Sequence, residues 1–561
     1  MNVSEVRPAG RWTPRRIAGF PLFAALLWLI GAGLVAPLLI HLLGANSVLT
    51  PVLADWRAHL RDGVLILGVL AITVPAVAAL GPERIGRWLQ PATAEALAAI
   101  RVWISLILLA SVAWEDLPSS AALPRGMLKM NGQWLVELLH GLPIGFDAFL
   151  ASEPSLRVFE WATAVLLVAA MAGVWSRWTV PAAAVAYMLF ASILRSYAWG
   201  YHTGVIPLYC LLLLSFTPCA DAWSADRWLR ARRGLPVEPA RVPRLRYAIG
   251  RYLVWMAIAL PYTLAALSKL RKGGFMWWRG DYMEQRLMAG VLEPMHFDFQ
   301  VVFYMIRLPL WIFGVLGFVA LMGELTFVLV LVNRAARLVL PVVMAGMHVG
   351  ILLLQNILFP DLIAIQAVFY DWTPVRDRVA AWAGKARVAA SMAMDGALDA
   401  GRPVMRQARL AQAFLLIAVG CWATRTERFP FTAMQMFSGV HRREPVEYVR
   451  PMVVYEDGKR EPAKFENWIG AVADSRYRWL LRSWDTDTAR ITRLREFLDV
   501  AAERADRHAA PGRRVREFHM EVRRWDYAHN PRDPERGRLL YEVRHVPRRP
   551  GQGRAVAAAP R

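Results

Sequence analysis

Residues 247–270 read YAIGRYLVWMAIALPYTLAALSKL, an apolar run long enough to cross a membrane as a helix. Near its end stands Lys269, which places an ammonium group beside hydrocarbon. Because this is unfavourable, the lysine either reaches the membrane interface as an anchor or has a role inside the protein. Desolvation favours the neutral amine, so Lys269 is a candidate base as well as a candidate anchor.

The whole chain has the composition of a multi-pass membrane protein. Of its 561 residues, 56% are hydrophobic and 24 are Trp, which is too apolar and too aromatic for a soluble enzyme of this length. The net charge of +22 comes from arginines that cluster between apolar segments and in the C-terminal third. This pattern favours positive-inside topology and a basic C-terminal domain over nucleic-acid binding. The cysteines have neither metal-ligand nor disulfide spacing and are interpreted as small apolar side chains: Cys210, Cys219 and Cys421.

Apolar segments of spanning length, or close to it, recur along the chain. They lie near 18–43, 62–81, 99–115, 156–175, 178–198, 204–220, 247–270, 310–333, 336–358 and 410–424. A shorter run, Leu362 to Trp372, is predicted to complete a crossing inside the bundle. Arginines before the first segment and in the loop after the sixth place the N-terminus in the cytoplasm of a cell-membrane protein. Alternation then places the C-terminal domain on the extracytoplasmic side.

These segments predict an all-α polytopic membrane bundle of about 10–11 transmembrane helices with a small C-terminal α+β extracytoplasmic domain. The expected domains are N-terminal helices at 1–94, a main membrane domain at 95–438, the α+β domain at 439–546 and a disordered tail at 547–561. Between the membrane segments, Arg125 to Ala151 is predicted to form an interfacial, partly helical lid.

The C-terminal domain shows alternating and helical patterns. Val453 to Tyr455 before Asp457-Gly458 predicts a strand entering a hairpin, and Asp474 to His508 predicts a helix. Alternation predicts two further strands, around Phe518, Met520 and Val522 and around Leu539, Tyr541 and Val543.

Three other ionisable residues lie in or beside apolar segments. Glu324 is central in its segment, so it needs a partner within the bundle, for structure or for catalysis. His348 is similarly central, and we expect it to lie close to Glu324, although a lone buried histidine is often a hydrogen-bonded core residue. His202 lies at the end of an apolar segment, where a capping role is the simplest interpretation. No metal-ligand motif is present, and no metal is predicted.

Together these residues resemble the membrane part of vitamin K-dependent γ-glutamyl carboxylase and its bacterial relatives, the horizontally transferred transmembrane (HTTM) domain family. The resemblance covers roughly residues 95 to 440. It rests on a tyrosine before the lysine, a Trp-x-x-Gly and a methionine after it, and an intramembrane acid followed by a histidine. The matching residues are Tyr262, Lys269, Leu270, Trp277, Gly280, Met283, Glu324 and His348. Shorter matches are Trp199 with His202, Ser224-Ala225-Asp226, and Phe431 to Ser438.

The resemblance implies an integral membrane, γ-carboxylase-like lyase. In that family a reduced naphthoquinone (vitamin K-type hydroquinone) and O2 supply a base that removes a γ-proton from glutamate before CO2 is captured. The implied partners are the lipid bilayer, the quinone and a Glu-containing peptide, protein or other substrate on the outer side. The implied catalytic residues are Lys269, His348 and His202, and the implied cofactor-binding residues are Tyr262, Trp277, Met283 and Glu324.

A second class of function fits the same residues. In a non-catalytic membrane protein they would form a structural network, and the exported domain would bind a partner or peptide. A transporter is disfavoured because the sequence shows no inverted repeat.

Overall fold

The computed structural model describes residues 49–87, 89–128, 132–197, 204–292, 297, 299–305, 307–372, 377–378, 401–435, 446–470, 488–507, 509–525 and 537–548. The segment predicted at 18–43 and His202 lie outside these residues, as do Trp199 and most of the tail predicted at 547–561.

Helices make up most of the described chain. The α-helices are α1 (Leu49–Ala79), α2 (Ala94–Trp114), α3 (Trp134–His140), α4 (Phe146–Ala151), α5 (Glu153–Ala172), α6 (Ser176–Tyr197), α7 (Val205–Leu214), α8 (Ala225–Arg232), α9 (Leu245–Gly273), α10 (Gly280–Leu292), α11 (Val301–Met305), α12 (Leu310–Thr326), α13 (Arg334–Gln355), α14 (Pro360–Ala364), α15 (Arg402–Thr424) and α16 (Thr488–Asp506). The short helices α3 and α4 give the 125–151 segment the partly helical structure expected from the sequence.

Eight helices of the described part are long and apolar enough to cross a membrane. They are α1 from Asp62, α2, α5, α6, α9, α12 with its 3-10 extension to Leu331, α13 and α15. The multi-pass helical architecture expected from the sequence is therefore compatible with this structure by length and composition.

Two predicted crossings are shorter in the structure. The segment at 204–220 forms α7, which ends at Leu214 because the Ser215 and Thr217 hydroxyls bond back to helix carbonyls and Pro218 follows. The run after Pro360 forms α14 and a 3-10 helix, Ile365–Phe369. Together these elements span Pro360–Phe369, about 15 Å of helix, roughly half of a bilayer core. By length this run is shorter than a bilayer-spanning helix, and the crossing at Leu362 to Trp372 stays a prediction.

Helix α9 is the central helix of the bundle. Most of its residues are buried, and it packs against α7, α12, α15 and the 3-10 helix Phe327–Leu331. Helix α13 begins where the Asn333 side chain caps it, since Oδ1 accepts hydrogen bonds from the amides of Ala335 at 2.8 Å and Ala336 at 3.1 Å. These helices carry the ionisable residues identified in the sequence.

In its described residues, the C-terminal domain is an antiparallel sheet with one α-helix. Its strands are β3 (Val446–Tyr455), β4 (Arg460–Pro462), β5 (Val515–Trp525) and β6 (Arg538–His545), in the order β4-β3-β5-β6, while β1 (Glu427–Arg428) and β2 (Phe431–Thr432) form a separate hairpin. Val453 pairs with Phe518, and the β3–β4 turn uses Gly458 at φ +82°. The predicted strands are confirmed, and the described helix begins at Thr488.

The sheet packs against the helical bundle through α10. Tyr448 of β3 and Trp525 of β5 belong to the same buried cluster as Met283 and Met288, and the Trp525 ring meets Phe303 with centroids 6.0 Å apart. The C-terminal domain is thus attached at the element that follows Lys269 in the chain.

Candidate functional site

Lys269 and Glu324 form a buried ion pair between α9 and α12. The Lys269 Nζ atom lies 2.6 Å from Glu324 Oε1 and 2.5 Å from Oε2, and the two residues are 4% and 7% exposed. Lys269 therefore points into the bundle, which disfavours the interfacial-anchor interpretation. Each charge compensates the other in the interior of the bundle, so removal of either would leave an uncompensated buried charge.

The Trp-x-x-Gly element covers this ion pair. Lys269 Nζ lies 5.2 Å from the centroid of the Trp277 ring, within range of a cation–π interaction. The 3-10 helix Gly274–Trp278 and the start of α10 approach α12 at glycines. A Cβ at Gly317 would collide with the Trp277 carbonyl oxygen, and a Cβ at Gly280 with that of Leu310. Met283 packs in the same contact. Of the predicted site residues, Trp277 and Glu324 thus lie beside Lys269.

A second polar group is built around His348. The Tyr262 hydroxyl lies 2.8 Å from His348 Nε2, and Gln366 Nε2 donates to the same hydroxyl at 3.0 Å. Gln366 Nε2 also donates to the Leu362 carbonyl at 3.0 Å. Glu324 and His348 line one small cavity, as expected of them, but their direct partners differ: Lys269 bonds the carboxylate and Tyr262 bonds the imidazole.

One small cavity joins the two groups. Its lining includes Glu324, Tyr262 and His348 together with apolar side chains, among them Met347, Phe359 and Met434. The space left for the centre of a water molecule is ≈ 20 Å³, which is enough for about one water. The cavity therefore brings an acid, a phenol and an imidazole into reach of one small molecule.

The β1–β2 hairpin after α15, with the residues that directly follow it, closes one side of this cavity. Ser268 Oγ donates to the Ala433 carbonyl at 3.2 Å, which places Met434 in the cavity wall. Within the hairpin, burial raises the pKa of Glu427 despite a hydrogen bond from Thr432. Of the matching stretch Phe431 to Ser438, the part up to Gln435 is described and the rest lies outside the described residues.

Asp361 and Gln366 were missed by sequence reasoning. Asp361 is 3% exposed, and its Oδ2 accepts a hydrogen bond from the Gly204 amide at 2.8 Å. Gly204 adopts φ +74°, and a Cβ there would collide with the Tyr187 ring. The available signal was an acid directly after Pro360 and an amide five residues later in one short apolar run. The bond to Gly204 anchors the chain just after the undescribed segment that contains His202.

The Ser-x-Asp match has a structural role. Ser224 caps α8 by accepting a hydrogen bond from the Arg227 amide at 3.0 Å. Asp226 accepts hydrogen bonds from the amides of Trp175 at 2.7 Å and Ser176 at 2.8 Å, at the start of α6. Capping of helix N-termini explains both side chains.

The arrangement is suited to proton transfer in a closed apolar space. A lysine–carboxylate pair can carry a proton on either partner, and the imidazole can donate to an oxygen atom. Within the described ranges there is no group of three or more His, Cys, Asp or Glu side chains placed to hold a metal ion. Comparison of the chain with protein-family profiles, curated proteins and solved structures found no match.

Proposed function

We propose that this chain is a membrane-embedded, γ-carboxylase-like enzyme in which the Lys269–Glu324 pair moves a proton to and from a bound substrate. The observation that carries the proposal is the pair itself, 4% and 7% exposed, with Glu324 lining the cavity that also contains His348. Packing of the bundle alone requires neither an ion pair at this position nor a cavity beside it that an acid, a phenol and an imidazole share.

The pair gives Lys269 a route to its neutral form. When the proton moves from Nζ to Glu324, the N–H bond breaks and a carboxyl O–H forms, so both groups become neutral, which the apolar surroundings favour. The free amine then accepts a proton from the substrate and becomes an ammonium again. The products of these two steps are an anionic substrate, protonated Glu324 and charged Lys269, with no loss of protons or charge.

The cofactor we propose, on the resemblance, is a reduced naphthoquinone. The polar groups fit it, because the ion pair can take a hydroxyl proton and His348 can bond an oxygen. A bicyclic ring needs more space than ≈ 20 Å³, so binding requires Met347, Phe359 and Met434 to move aside. Methionine side chains adapt readily to such a change. With O2, the bound group would supply the strong base that removes a γ-proton.

The substrate we propose is a glutamate-containing peptide or protein on the extracytoplasmic side, with CO2 as the second reactant. The packing of Tyr448 and Trp525 against α10 supports a guiding role for the C-terminal domain, because it connects that domain to the element covering Lys269. The arginine distribution supports a cytoplasmic N-terminus in the cell membrane.

Turnover of the protein in lipid nanodiscs tests the proposal. The assay supplies reduced vitamin K-type naphthoquinone, O2, labelled bicarbonate and a glutamate-containing peptide, and it measures O2 uptake and label in the peptide. Lys269→Arg should abolish both signals, since a guanidinium does not release its proton at ordinary pH. Lys272→Arg, at an exposed lysine of the same helix, should retain them.

Full turnover by Lys269→Arg would contradict the role of Lys269 as the base. Absence of turnover in the wild-type protein would favour the non-catalytic alternative, in which the C-terminal domain binds a partner or peptide.

A further inference from the structure

The orientation of the Gln366 amide is fixed by a backbone carbonyl. Gln366 Nε2 lies 3.0 Å from the Leu362 oxygen, which can only accept a hydrogen bond. The amide nitrogen, and not its oxygen, must therefore be the atom that lies 3.0 Å from the Tyr262 hydroxyl. Gln366 donates to Tyr262, and the phenolic oxygen accepts.

This donation directs the Tyr262 proton to His348. The phenol has one proton to donate, and within the described part of the chain the acceptor at hydrogen-bond distance is His348 Nε2, at 2.8 Å. If Nε2 carried the proton instead, both the hydroxyl proton and the Nδ1 lone pair would be buried without a partner. With Tyr262 donating, one buried group lacks a partner instead of two, and each such group costs about 1–3 kcal/mol.

We propose that neutral His348 carries its proton on Nδ1 and donates it to a carbonyl or oxyanion oxygen of the substrate. Among the described residues Nδ1 has no hydrogen-bond partner, and His348 is 2% exposed and lines the cavity beside Glu324. Gln366 is a positioning residue, acting through Tyr262 to hold the imidazole in this tautomer. This assignment rests on the proposed function for its substrate, but the tautomer itself does not.

Nδ1–H differs from the form that free neutral imidazole side chains prefer in water, which is Nε2–H. The network therefore imposes a choice that the residue alone would not make. It also changes the chemistry expected of His348. An imidazole whose Nε2 accepts from a tyrosine, and whose Nδ1–H has no partner among the described residues, acts as an electrophile that stabilises developing negative charge and not as a general base.

Nitrogen-15 solid-state NMR of the intact protein in lipid tests the tautomer without any substrate. The His348 signals are assigned by their loss in His348→Asn. The wild-type protein should show His348 as Nδ1–H. Tyr262→Phe and Gln366→Leu should each shift the population toward Nε2–H, whereas Tyr187→Phe, which removes another buried hydroxyl that bonds Ser111, should leave it unchanged. An Nε2–H signal in the wild-type protein, or an unchanged Nδ1–H signal in both network variants, would overturn the assignment.

A second measurement addresses donation to the substrate. The amide nitrogen of asparagine lies near the position of Nδ1, so His348→Asn should retain more turnover than His348→Leu, which should lose about 100-fold in kcat. Equal turnover in the two variants would refute donation even if the tautomer were as proposed. If the tautomer is as proposed but the wild-type protein shows no turnover, the tautomer assignment stands and the proposed function is wrong.

Discussion

The Lys269–Glu324 pair predicts a specific pattern of stability in three variants. Lys269→Met leaves a buried carboxylate without its partner, and Glu324→Leu leaves a buried ammonium. Both residues are less than a tenth exposed, so each single change should destabilise the fold by about 3–5 kcal/mol. The double variant removes both charges and should lie within about 1–2 kcal/mol of the wild-type protein. Glu324→Gln keeps a hydrogen-bond acceptor and should be tolerated better than Glu324→Leu.

Unfolding in mixed detergent micelles measures these differences, with the helical circular dichroism signal as the readout. The signature of the pair is a large favourable coupling in the double-mutant cycle, which separates it from two independent side-chain deletions. If the single losses simply add in the double variant, the two groups are not paired and the geometry of the site is wrong.

The glycine contact, the charged face of the sheet and the membrane topology give further testable outcomes. In Gly317→Val the new side chain would collide with a backbone carbonyl, so the free energy of unfolding should fall by about 1–3 kcal/mol. Gly346 has open space around it, so Gly346→Val should leave the free energy of unfolding unchanged. Burial opposes ionisation of Glu542, but hydrogen bonds from an arginine and a histidine outweigh it and hold its pKa below the usual value. Glu542 therefore stabilises the sheet at pH values above the pKa that this carboxyl has in the unfolded chain. Glu542→Gln should reduce hydrogen-exchange protection of β5 and β6 near neutral pH. The difference from the wild-type protein should vanish at pH values below the pKa of Glu542 in the folded protein. A reporter active only outside the cytoplasm should work at Arg561 and be silent near Gly234, and the reverse would overturn the topology.

The ionisable residues of the site could be predicted because ionisable side chains are rare within apolar segments. A lysine, a glutamate and a histidine inside apolar segments are noticeable in the sequence, and the structure places all three in or beside one cavity. The choice of partners could not be predicted. It depends on how α9, α12 and α13 are rotated about their axes, and the sequence does not specify this.

Gln366 shows a different limit of sequence reasoning. A neutral amide in a short apolar run has no property that separates it from a satisfied core residue, and its role depends on its distance to Tyr262. The length of α7 was overestimated because residues 215–220 are apolar enough to continue a helix, while their hydroxyl groups and Pro218 end it. The strands of the C-terminal domain could be predicted more readily, because apolar and polar residues alternate along a strand that has one buried face.

The contact of Trp525 and Tyr448 with α10 makes the C-terminal sheet part of the energetics of the site around Lys269. Any molecule that binds the sheet more tightly when Trp525 is packed also favours the arrangement in which α10 and Trp277 cover Lys269. Linkage requires the reverse as well, so occupancy beside Lys269 changes the affinity of the sheet for its ligand by the same factor. The sheet and the site around Lys269 can thereby respond to each other's ligands without sharing one.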